Sequence, residues 1–276
     1  MIQFLSLASG SSGNCYYLSN TKTSILIDAG IGARTIKKQL KEFGLSLESI
    51  SAVLVTHDHI DHVKAVGHLG EKGRIPIYAT QQVHSGIERN YCISKKLETS
   101  ARYIHTEEPF AIGDFRITAF DVPHDSHGNT GYYIECEDVH FCLATDIGHL
   151  TETIKSYLSQ ADHLVLEANY DETMLQMGPY PAYLKERILS PTGHLSNREA
   201  AEFLTNHYSP RWKYVWLCHL SKDNNHPDLA YKTVEMHLQS IGIKVGEDLQ
   251  VIPLRRTTPT GIFRLNEEHP QTTPNE

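Results

Sequence analysis

The chain has 276 residues, of which 40% are hydrophobic and 21% are charged, a balance typical of a folded globular protein and not of a disordered one. No apolar run approaches the roughly 20 residues that a transmembrane helix needs, which argues against an integral membrane protein. The formal net charge of -8 does not favour a large nucleic-acid footprint, because such footprints are basic.

The cysteine pattern indicates the cellular compartment. The chain has five cysteines and no Cys-x-x-Cys pair, which fits a reducing cytosol better than a disulfide framework. The apolar stretch from Met1 to Ala8 has no basic start, so it predicts an opening strand and not a signal peptide. We therefore predict a cytoplasmic protein with no membrane partner.

The first half of the chain predicts strands joined by tight turns, with helices between some of them. Short apolar runs bounded by turn residues predict strands at 2–7, 15–18, 24–28, 51–56 and 76–79. Amphipathic spacing predicts helices at 33–43, from the loop after residue 56 through residue 69, and at 81–90. Two hairpins follow, at 110–122 and 132–145, which makes this half rich in strands.

The second half alternates the two kinds of element. Strands are predicted at 163–167, 212–217, 249–254 and 261–265, and helices at 182–189, 197–207 and 228–240. The polar, proline-containing end at 266–276 predicts a disordered tail. Because no linker separates the halves, we predict one domain over 1–265, with two sheets packed face to face and helices outside.

The densest group of metal-ligand side chains is the run from Thr56 to His62, Thr-His-Asp-His-Ile-Asp-His, with three histidines and two aspartates in seven residues. It follows an apolar strand, at the kind of strand-to-loop junction where α/β folds place their sites. Imidazoles and carboxylates at this density suit zinc and related divalent metals. The run holds too many ligands for one closed structural zinc, which takes four ligands and leaves no open position.

Three further strand ends carry the same kind of residue. They are Asp121-Val-Pro-His124-Asp125, Ala144-Thr-Asp146-Ile-Gly148 and Leu217-Cys-His219-Leu-Ser221. Each has an apolar strand, then a ligand-type side chain, then a small or polar turn. One such segment carries little information, but four in one chain predict a single site built by loops along one edge of a sheet sandwich.

These residues, in type and in order, resemble the ligand series of the metallo-β-lactamase superfamily, and the resemblance covers nearly all of residues 1–265. It implies an α/β (α+β) fold, the four-layer αββα sandwich of two mixed sheets with helices on the outer faces. It also implies two divalent metal ions, zinc or manganese with iron as a third option. The implied ligands are His57, His59 and His124 for the first ion, Asp61, His62 and His219 for the second, and Asp146 bridging both.

The resemblance also implies residues that support these ligands. Asp28, in Leu26-Ile-Asp-Ala-Gly30, resembles the strand-end aspartate that orients a ligand histidine through a hydrogen bond. The alternative for Asp28 is a simple turn-capping role. We assign a supporting role of the same kind to Asp58.

Three details narrow the reaction. Position 59 is His, whereas the oxygen-reducing diiron branch has Glu there, which favours hydrolysis. Gly193-His194-Leu-Ser196 resembles the phosphodiesterase branch, where a histidine that is not a ligand contacts the scissile phosphate, and Glu167 resembles the acidic residue that pairs with it. We predict catalytic roles for Asp61, His194 and Glu167, with a helix-capping neighbour as the alternative for His194 and a structural role as that for Glu167.

The glycine- and serine-rich turn from Ser9 to Asn14, with the segments around His194 and His219, looks most like the bacterial YycJ/WalJ-type exonuclease subfamily. This resemblance implies a 5′-to-3′ DNA exonuclease that uses a metal-bridging hydroxide. The turn is rich in backbone donors, and we predict phosphate contacts at Ser11, Ser12 and Asn14, with a simple tight turn as the alternative.

Two other functions stay open. One is a hydrolase of a small substrate, such as a cyclic phosphodiester, a lactone or a thioester. The other is a non-catalytic regulatory or scaffold protein that keeps the metal site, against which the intact ligand series argues. DNA is the predicted partner and a homodimer is an open alternative, while the basic residues are assigned no DNA contact: Lys37-Lys38, Lys95-Lys96, Arg187, Arg211 and Arg255-Arg256.

Overall fold

The structure, a computed structural model, describes residues 1–266. The disordered tail predicted at 266–276 therefore lies, apart from Asn266, outside the described residues. Within these limits, no helix combines the length and the apolar character that crossing a membrane requires.

The described residues form strands and helices in the following order. The strands are β1 (Gln3–Ala8), β2 (Cys15–Ser19), β3 (Ser24–Ile27), β4 (Ile50–Leu54), β5 (Ile77–Ala79), β6 (Ala101–Tyr103), β7 (Phe110–Ile112), β8 (Phe115–Asp121), β9 (Thr130–Cys136), β10 (Val139–Ala144), β11 (His163–Glu167), β12 (Tyr214–Cys218), β13 (Gln250–Pro253) and β14 (Phe263–Arg264). The helices are α1 (Ala33–Glu42), α2 (Ile60–Val63), α3 (Val66–Glu71), α4 (Gln81–Arg89), α5 (Glu152–Gln160), α6 (Glu172–Met177), α7 (Ala182–Ile188), α8 (Asn197–Asn206) and α9 (Pro227–Ser240), with a 3-10 turn at Leu47–Ser49.

The strands of residues 1–266 form two mixed sheets of seven strands each, in the orders β14-β1-β2-β3-β4-β5-β6 and β13-β12-β11-β10-β9-β8-β7. In the first sheet β3 to β6 pair in parallel, and in the second β10 to β13 do. Strands β8 and β10 are both antiparallel to β9. The carboxyl ends of β8, β10, β11 and β12 therefore point to the same edge.

The apolar faces of the two sheets pack against each other. The ring centroid of Phe4 in β1 lies 4.4 Å from that of Trp216 in β12 and 5.2 Å from that of Phe141 in β10. Helices α1, α3 and α4 cover the outer face of the first sheet, and α5, α8 and α9 cover that of the second. This arrangement confirms the predicted four-layer αββα sandwich.

The boundary between the sheets differs from the boundary between the strand-rich and the helix–strand halves of the sequence. The two predicted hairpins belong to the second sheet, and β14 returns to pair with β1 at the edge of the first. Local patterns predict where a strand lies but not its partner, because pairing depends on contacts between distant residues. Strand β6 and helices α5 and α6 were also not predicted.

The helix predicted through residue 69 is two short helices, α2 and α3. In a continuous helix the amide of Ala65 would donate to the carbonyl of Asp61. Instead it donates to the carbonyl of Ala29, at 2.8 Å, and the Asp61 carbonyl accepts the amide of Asn14, at 2.7 Å. These contacts from the β1–β2 and β3–α1 loops end the first helix just after the ligand run.

Candidate metal centre

Loops that follow the carboxyl ends of strands from both sheets meet at one edge of the sandwich. Asp28 follows β3 and the His57 run follows β4, while His124, Asp146 and His219 follow β8, β10 and β12. The sheets join at this edge, where Thr130 donates its amide to the Thr56 carbonyl at 3.0 Å. The structure thus brings all seven predicted ligands to one place.

Three of the strand-end residues have left-handed backbones, with φ of 61° at Asp28, 55° at Asp146 and 54° at His219. This conformation costs about 1–3 kcal/mol for a residue other than glycine and persists where its surroundings hold it. The carbonyl of Asp146 accepts a hydrogen bond from Asn129 Nδ2 at 2.9 Å, and that of His219 accepts one from Asn169 Nδ2 at 2.9 Å. Two of the three strained turns, those at Asp146 and His219, are therefore held by side chains that we did not predict.

The first group of predicted ligands is His57, His59 and His124, whose donor atoms lie within 4.8 Å of one another. His57 Nε2 is buried and has no hydrogen-bond partner within residues 1–266. His124 Nδ1 donates to the Gly193 carbonyl at 3.0 Å, which leaves Nε2 of the neutral ring with its lone pair. His57 and His124 thus each keep one ring nitrogen available near the other predicted ligands.

The second group is Asp61, His62 and His219, whose donor atoms also lie within 4.8 Å of one another. Asp146 reaches both groups through different oxygens. Its Oδ1 is 3.7 Å from His124 Nε2 and its Oδ2 is 3.2 Å from His62 Nε2. Asp146 thus lies between the two groups, with one carboxylate oxygen near each.

The protonation states of His57 and Asp146 suit a divalent metal. Burial, and then the nearby His62, hold the pKa of His57 well below its usual range, so its ring is neutral. Burial would raise the pKa of Asp146, but His219, His62 and His57 outweigh it and hold the carboxyl pKa well below its usual range. The unpartnered Nε2 lone pair of the neutral His57 ring, beside the ionised Asp146 carboxylate, fits zinc or manganese.

Asp28 contacts the predicted ligand His62. Its Oδ2 lies 2.7 Å from His62 Nδ1, and both side chains are fully buried. Thr56 donates to the same carboxylate through its amide at 2.8 Å and its hydroxyl at 2.9 Å. Burial would lower the pKa of His62, but Asp28, and after it Asp146, outweigh burial and raise it well above its usual range.

Replacing Asp28 with asparagine is expected to weaken metal binding by about 10–100-fold, because loss of a partner that orients a ligand histidine typically has this effect. Asparagine tolerates the left-handed backbone, so the fold should persist. Competition with a chelator measures the change, with Asp138→Asn in the exposed β9–β10 turn as the matched control. Equal affinities for the two variants would contradict the role of Asp28.

The ligand loop is packed tightly against Gly30. A Cβ atom at this position would lie 1.5 Å from the carbonyl oxygen of Asp61, and Gly30 also donates its amide to the Asn14 carbonyl at 2.8 Å. Asn14 is fully buried and accepts the amide of Gly10 through its Oδ1 at 2.8 Å. The predicted phosphate contact of Asn14 is therefore corrected, because a buried side chain that braces two loops is out of reach of a substrate.

Gly30→Ala is expected to lower the free energy of unfolding by about 1–3 kcal/mol, because the added methyl group forces the Asp61 carbonyl to move. Gly32→Ala is the matched control, since a Cβ there would meet only Thr35 Oγ1, at 3.7 Å. Urea unfolding of both variants measures the difference. A Gly30→Ala variant as stable as Gly32→Ala would contradict the tight contact.

Glu167 connects two histidines. Its Oε1 lies 2.9 Å from His194 Nδ1 and 3.0 Å from His219 Nδ1, while its Oε2 accepts the amides of Ile147 and Leu195. Burial would raise the pKa of Glu167, but His194 and these hydrogen bonds outweigh it, so the pKa is lowered and the carboxylate is ionised. With Nδ1 donating to Glu167, Nε2 of His194 has no hydrogen-bond partner within residues 1–266.

The same group of side chains admits a different division of roles. Donor atoms of Asp146, Glu167, His194 and His219 also lie within 4.8 Å of one another. Burial would lower the pKa of His219, but Asp146, Asp61 and Glu167 together raise it to about 10. In this grouping His194 would be a ligand and not a proton donor.

Asp58 has a different partner from the one expected. Its Oδ2 lies 2.7 Å from His127 Nδ1 and its Oδ1 accepts the His127 amide at 3.2 Å, whereas no predicted ligand is among its hydrogen-bond partners within residues 1–266. Gly86 in α4 makes room for it, since a Cβ there would lie 2.3 Å from Asp58 Oδ2. Asp58 therefore orients the loop that carries His127, and its expected contact with a ligand is corrected.

The mouth of the site is bordered by an ion pair that we did not predict. Arg187 of α7 donates through Nε and Nη2 to Asp125, with Nη2 at 3.1 Å from Oδ1. Asp125 Oδ1 also lies 3.3 Å from His124 Nε2. The sequence signal that could have pointed to Asp125 is its position at a strand end, next to His124. Asn129 and Asn169 also lie in loops that flank strands, but the strand-end prediction concerned histidine and aspartate and did not include them.

Two cavities meet at Arg187. One, of about 430 Å³, is lined by His59, Asp61, Arg89, Tyr91 and His127 among others. The other, of about 160 Å³, is lined by residues that include Ser11, His194 and His219. Ser12 lies exposed on the same turn as Ser11. A larger cavity of about 710 Å³ lies along α4 and contains none of the seven predicted ligands.

A four-layer αββα sandwich whose edge loops gather histidines and aspartates defines a metallo-hydrolase fold of the metallo-β-lactamase class. Residues 23–216 match the model of the beta-lactamase superfamily domain. The chain belongs to this superfamily and, within it, to the subfamily of the WalJ and YycJ proteins.

Two relatives align over nearly the whole chain. Exodeoxyribonuclease WalJ of Streptococcus pneumoniae is 35% identical over 259 residues, which cover 94% of this chain and 96% of WalJ. Exodeoxyribonuclease YycJ of Bacillus anthracis is 32% identical over 262 residues, covering 95% and 98%. Among solved structures, the metallo-beta-lactamase fold protein YhfI of Bacillus subtilis has a TM-score of 0.68 at 18% identity and covers 94% of this chain and 99% of its own. At that identity the likeness concerns the fold alone.

Proposed function

We propose that this protein is a metal-dependent phosphodiesterase that removes nucleotides from DNA in the 5′-to-3′ direction. The observation that carries the proposal is the Glu167–His194 pair beside the seven gathered ligands. The near full-length similarity to two proteins named exodeoxyribonuclease supports DNA as the substrate. We also propose that residues 1–265 act as one domain, because both sheets contribute ligands and β14 pairs with β1.

Two divalent ions, zinc or manganese, would be held by the residues that the sequence predicted. His57, His59 and His124 would hold the first, Asp61, His62 and His219 the second, and Asp146 both. When bound, such ions supply a nucleophilic water at neutral pH and neutralise charge on a phosphate. Asp61 enters the reaction as one of these ligands.

His194 and Glu167 would act on the departing group. A water oxygen forms a bond to phosphorus while the bond from phosphorus to the leaving sugar oxygen breaks, and that oxygen needs a proton. His194 Nε2 donates it, since Nδ1 is held by the Glu167 carboxylate at 2.9 Å. Glu167, fully buried, keeps the ring of His194 oriented through this hydrogen bond.

A nuclease assay with two label positions tests the proposal. The protein loaded with manganese or zinc is incubated with duplex DNA carrying ³²P at either the 5′ or the 3′ end, beside a His59→Ala control. Stepwise loss of nucleotides from the 5′ end, absent in the control, is the expected result. Intact DNA with hydrolysis of bis-p-nitrophenyl phosphate would favour the small-substrate alternative instead.

The scaffold alternative is not favoured, because every predicted ligand is present and gathered at one edge. The five cysteines are all free, which supports a reducing cytoplasm as the place of action. A homodimer stays a prediction that light scattering would test.

A further inference from the structure

The cavity of about 160 Å³ beside His194 has two chemically different walls. His194, His219 and Ser11 belong to the polar wall, which adjoins the predicted ligands. The other wall is apolar and is formed by Tyr180, Leu184 and Ile188, which belong to one hydrophobic cluster. A phosphate and sugar suit the first wall, and a flat apolar group such as a nucleobase suits the second.

The apolar wall is well supported. Tyr180 and Leu184 pack on a cluster that contains the buried side chains of Tyr170, Leu175 and Ile188. The Tyr180 hydroxyl donates a hydrogen bond to Asp223 Oδ2 at 3.2 Å. The ring is therefore held by this hydrogen bond as well as by its packing on the cluster. The wall is thus formed before any substrate binds.

The wall is also tied to the histidine loop. The amide of His194 donates to the Ile188 carbonyl at 3.0 Å. At Gly193, a Cβ would lie 2.1 Å from that same carbonyl oxygen, so only glycine fits between α7 and the loop. The distance between the apolar wall and His194 is therefore set by backbone contacts.

The volume of the cavity limits the size of the group that can bind in it. Cavities of about 150 Å³ hold one benzene-sized ring, and this one has about 160 Å³. It has room for one nucleobase and not for two. The wider cavity of about 430 Å³ lies on the other side of Arg187, which lines both.

Building on the proposed exonuclease function, we propose that the cavity beside His194 receives the 5′-terminal nucleotide of the strand, with its base against Tyr180. In 5′-to-3′ removal of one nucleotide, the bond that breaks joins phosphorus to O3′ of that terminal nucleotide. A water oxygen replaces O3′ on phosphorus, and O3′ takes its proton from His194. The leaving nucleotide therefore lies on the His194 side, in a space that admits a single base, and the product is a mononucleotide.

Product length tests this inference. Full-length protein loaded with manganese degrades duplex DNA carrying ³²P at the 5′ end, and chromatography separates mono-, di- and trinucleotides. Tyr180→Ala is expected to release di- and trinucleotides and to raise KM about tenfold, because stacking of a base on an aromatic ring contributes to binding on this scale. Tyr180→Phe keeps the ring and should behave as the wild type.

Tyr183→Ala is the matched control, because Tyr183 lies in the first turn of α7, three positions after Tyr180, but is 72% exposed and does not line the cavity. If Tyr180→Ala gave the same products and the same KM as the wild type and Tyr183→Ala, this inference would be wrong, but the proposed function would stand. A wild type that leaves DNA intact would overturn the proposed function and this inference with it. Elemental analysis, with the same metal content in both variants as in the wild type, shows that the metal centre is preserved.

Discussion

Replacing Asp61 with alanine is expected to remove at least one metal ion per chain and to abolish DNA cleavage at the same time. Asp61 Oδ2 lies 3.4 Å from His219 Nε2 and 3.6 Å from His62 Nε2, so its carboxylate completes the second group of ligands. Without this carboxylate, the second group would keep its two histidines but would lose the negative charge that offsets the positive charge of the ion. Elemental analysis gives the metal content, and the end-labelled DNA assay gives the activity.

The matched control for this variant is Asp138→Ala, an exposed aspartate in the β9–β10 turn. It should keep both the metal and the activity. Because the backbone of Asp61 is held by Asn14 and not by its own side chain, the fold of the Asp61 variant should survive. An Asp61→Ala protein with its full metal content and wild-type turnover would rule out Asp61 as a ligand.

Replacing His194 with alanine is expected to lower kcat for DNA by about 10²–10⁴ while both metal ions stay bound. The reason is the separation of roles: His194 pairs with Glu167 at 2.9 Å and lines the cavity, whereas the seven other side chains form the ligand groups. Metal content and single-turnover rates on the same preparation measure the two effects separately. His68→Ala, on the exposed face of α3, is the matched control.

Loss of metal from the His194→Ala protein would contradict this separation. It would favour the other grouping, in which Asp146, Glu167, His194 and His219 share an ion. The two outcomes differ in metal content before any substrate is added, so they cannot be confused with a change in substrate binding.

The sequence alone predicted most of what has a local signature. The period of the apolar residues located the strands, and the ligand-rich run at 57–62 lay directly after one of them. The partner residues His124, Asp146 and His219 could be found because each follows a strand in the same manner. Since the carboxyl ends of parallel strands meet at one edge, a linear pattern predicted a three-dimensional site.

The tertiary structure decided which residues support that site. Asn14 braces the carbonyl of Asp61 across 47 positions of sequence, and Asp58 pairs with His127 and not with a ligand. Asn129 and Asn169 hold the strained turns at Asp146 and His219, and nothing in their neighbourhood in the sequence marks them for this role.

The difference between what the sequence predicted and what the tertiary structure decided has a physical reason. Secondary structure follows from the spacing of apolar side chains along a few turns or strands, so the chain carries it locally. Hydrogen bonds between loops depend instead on where several distant segments finally pack, as Arg187 and Asp125 do across 62 positions. Only the packed sandwich brings such partners within hydrogen-bond distance, and with them it forms the narrow cavity between α7 and His194.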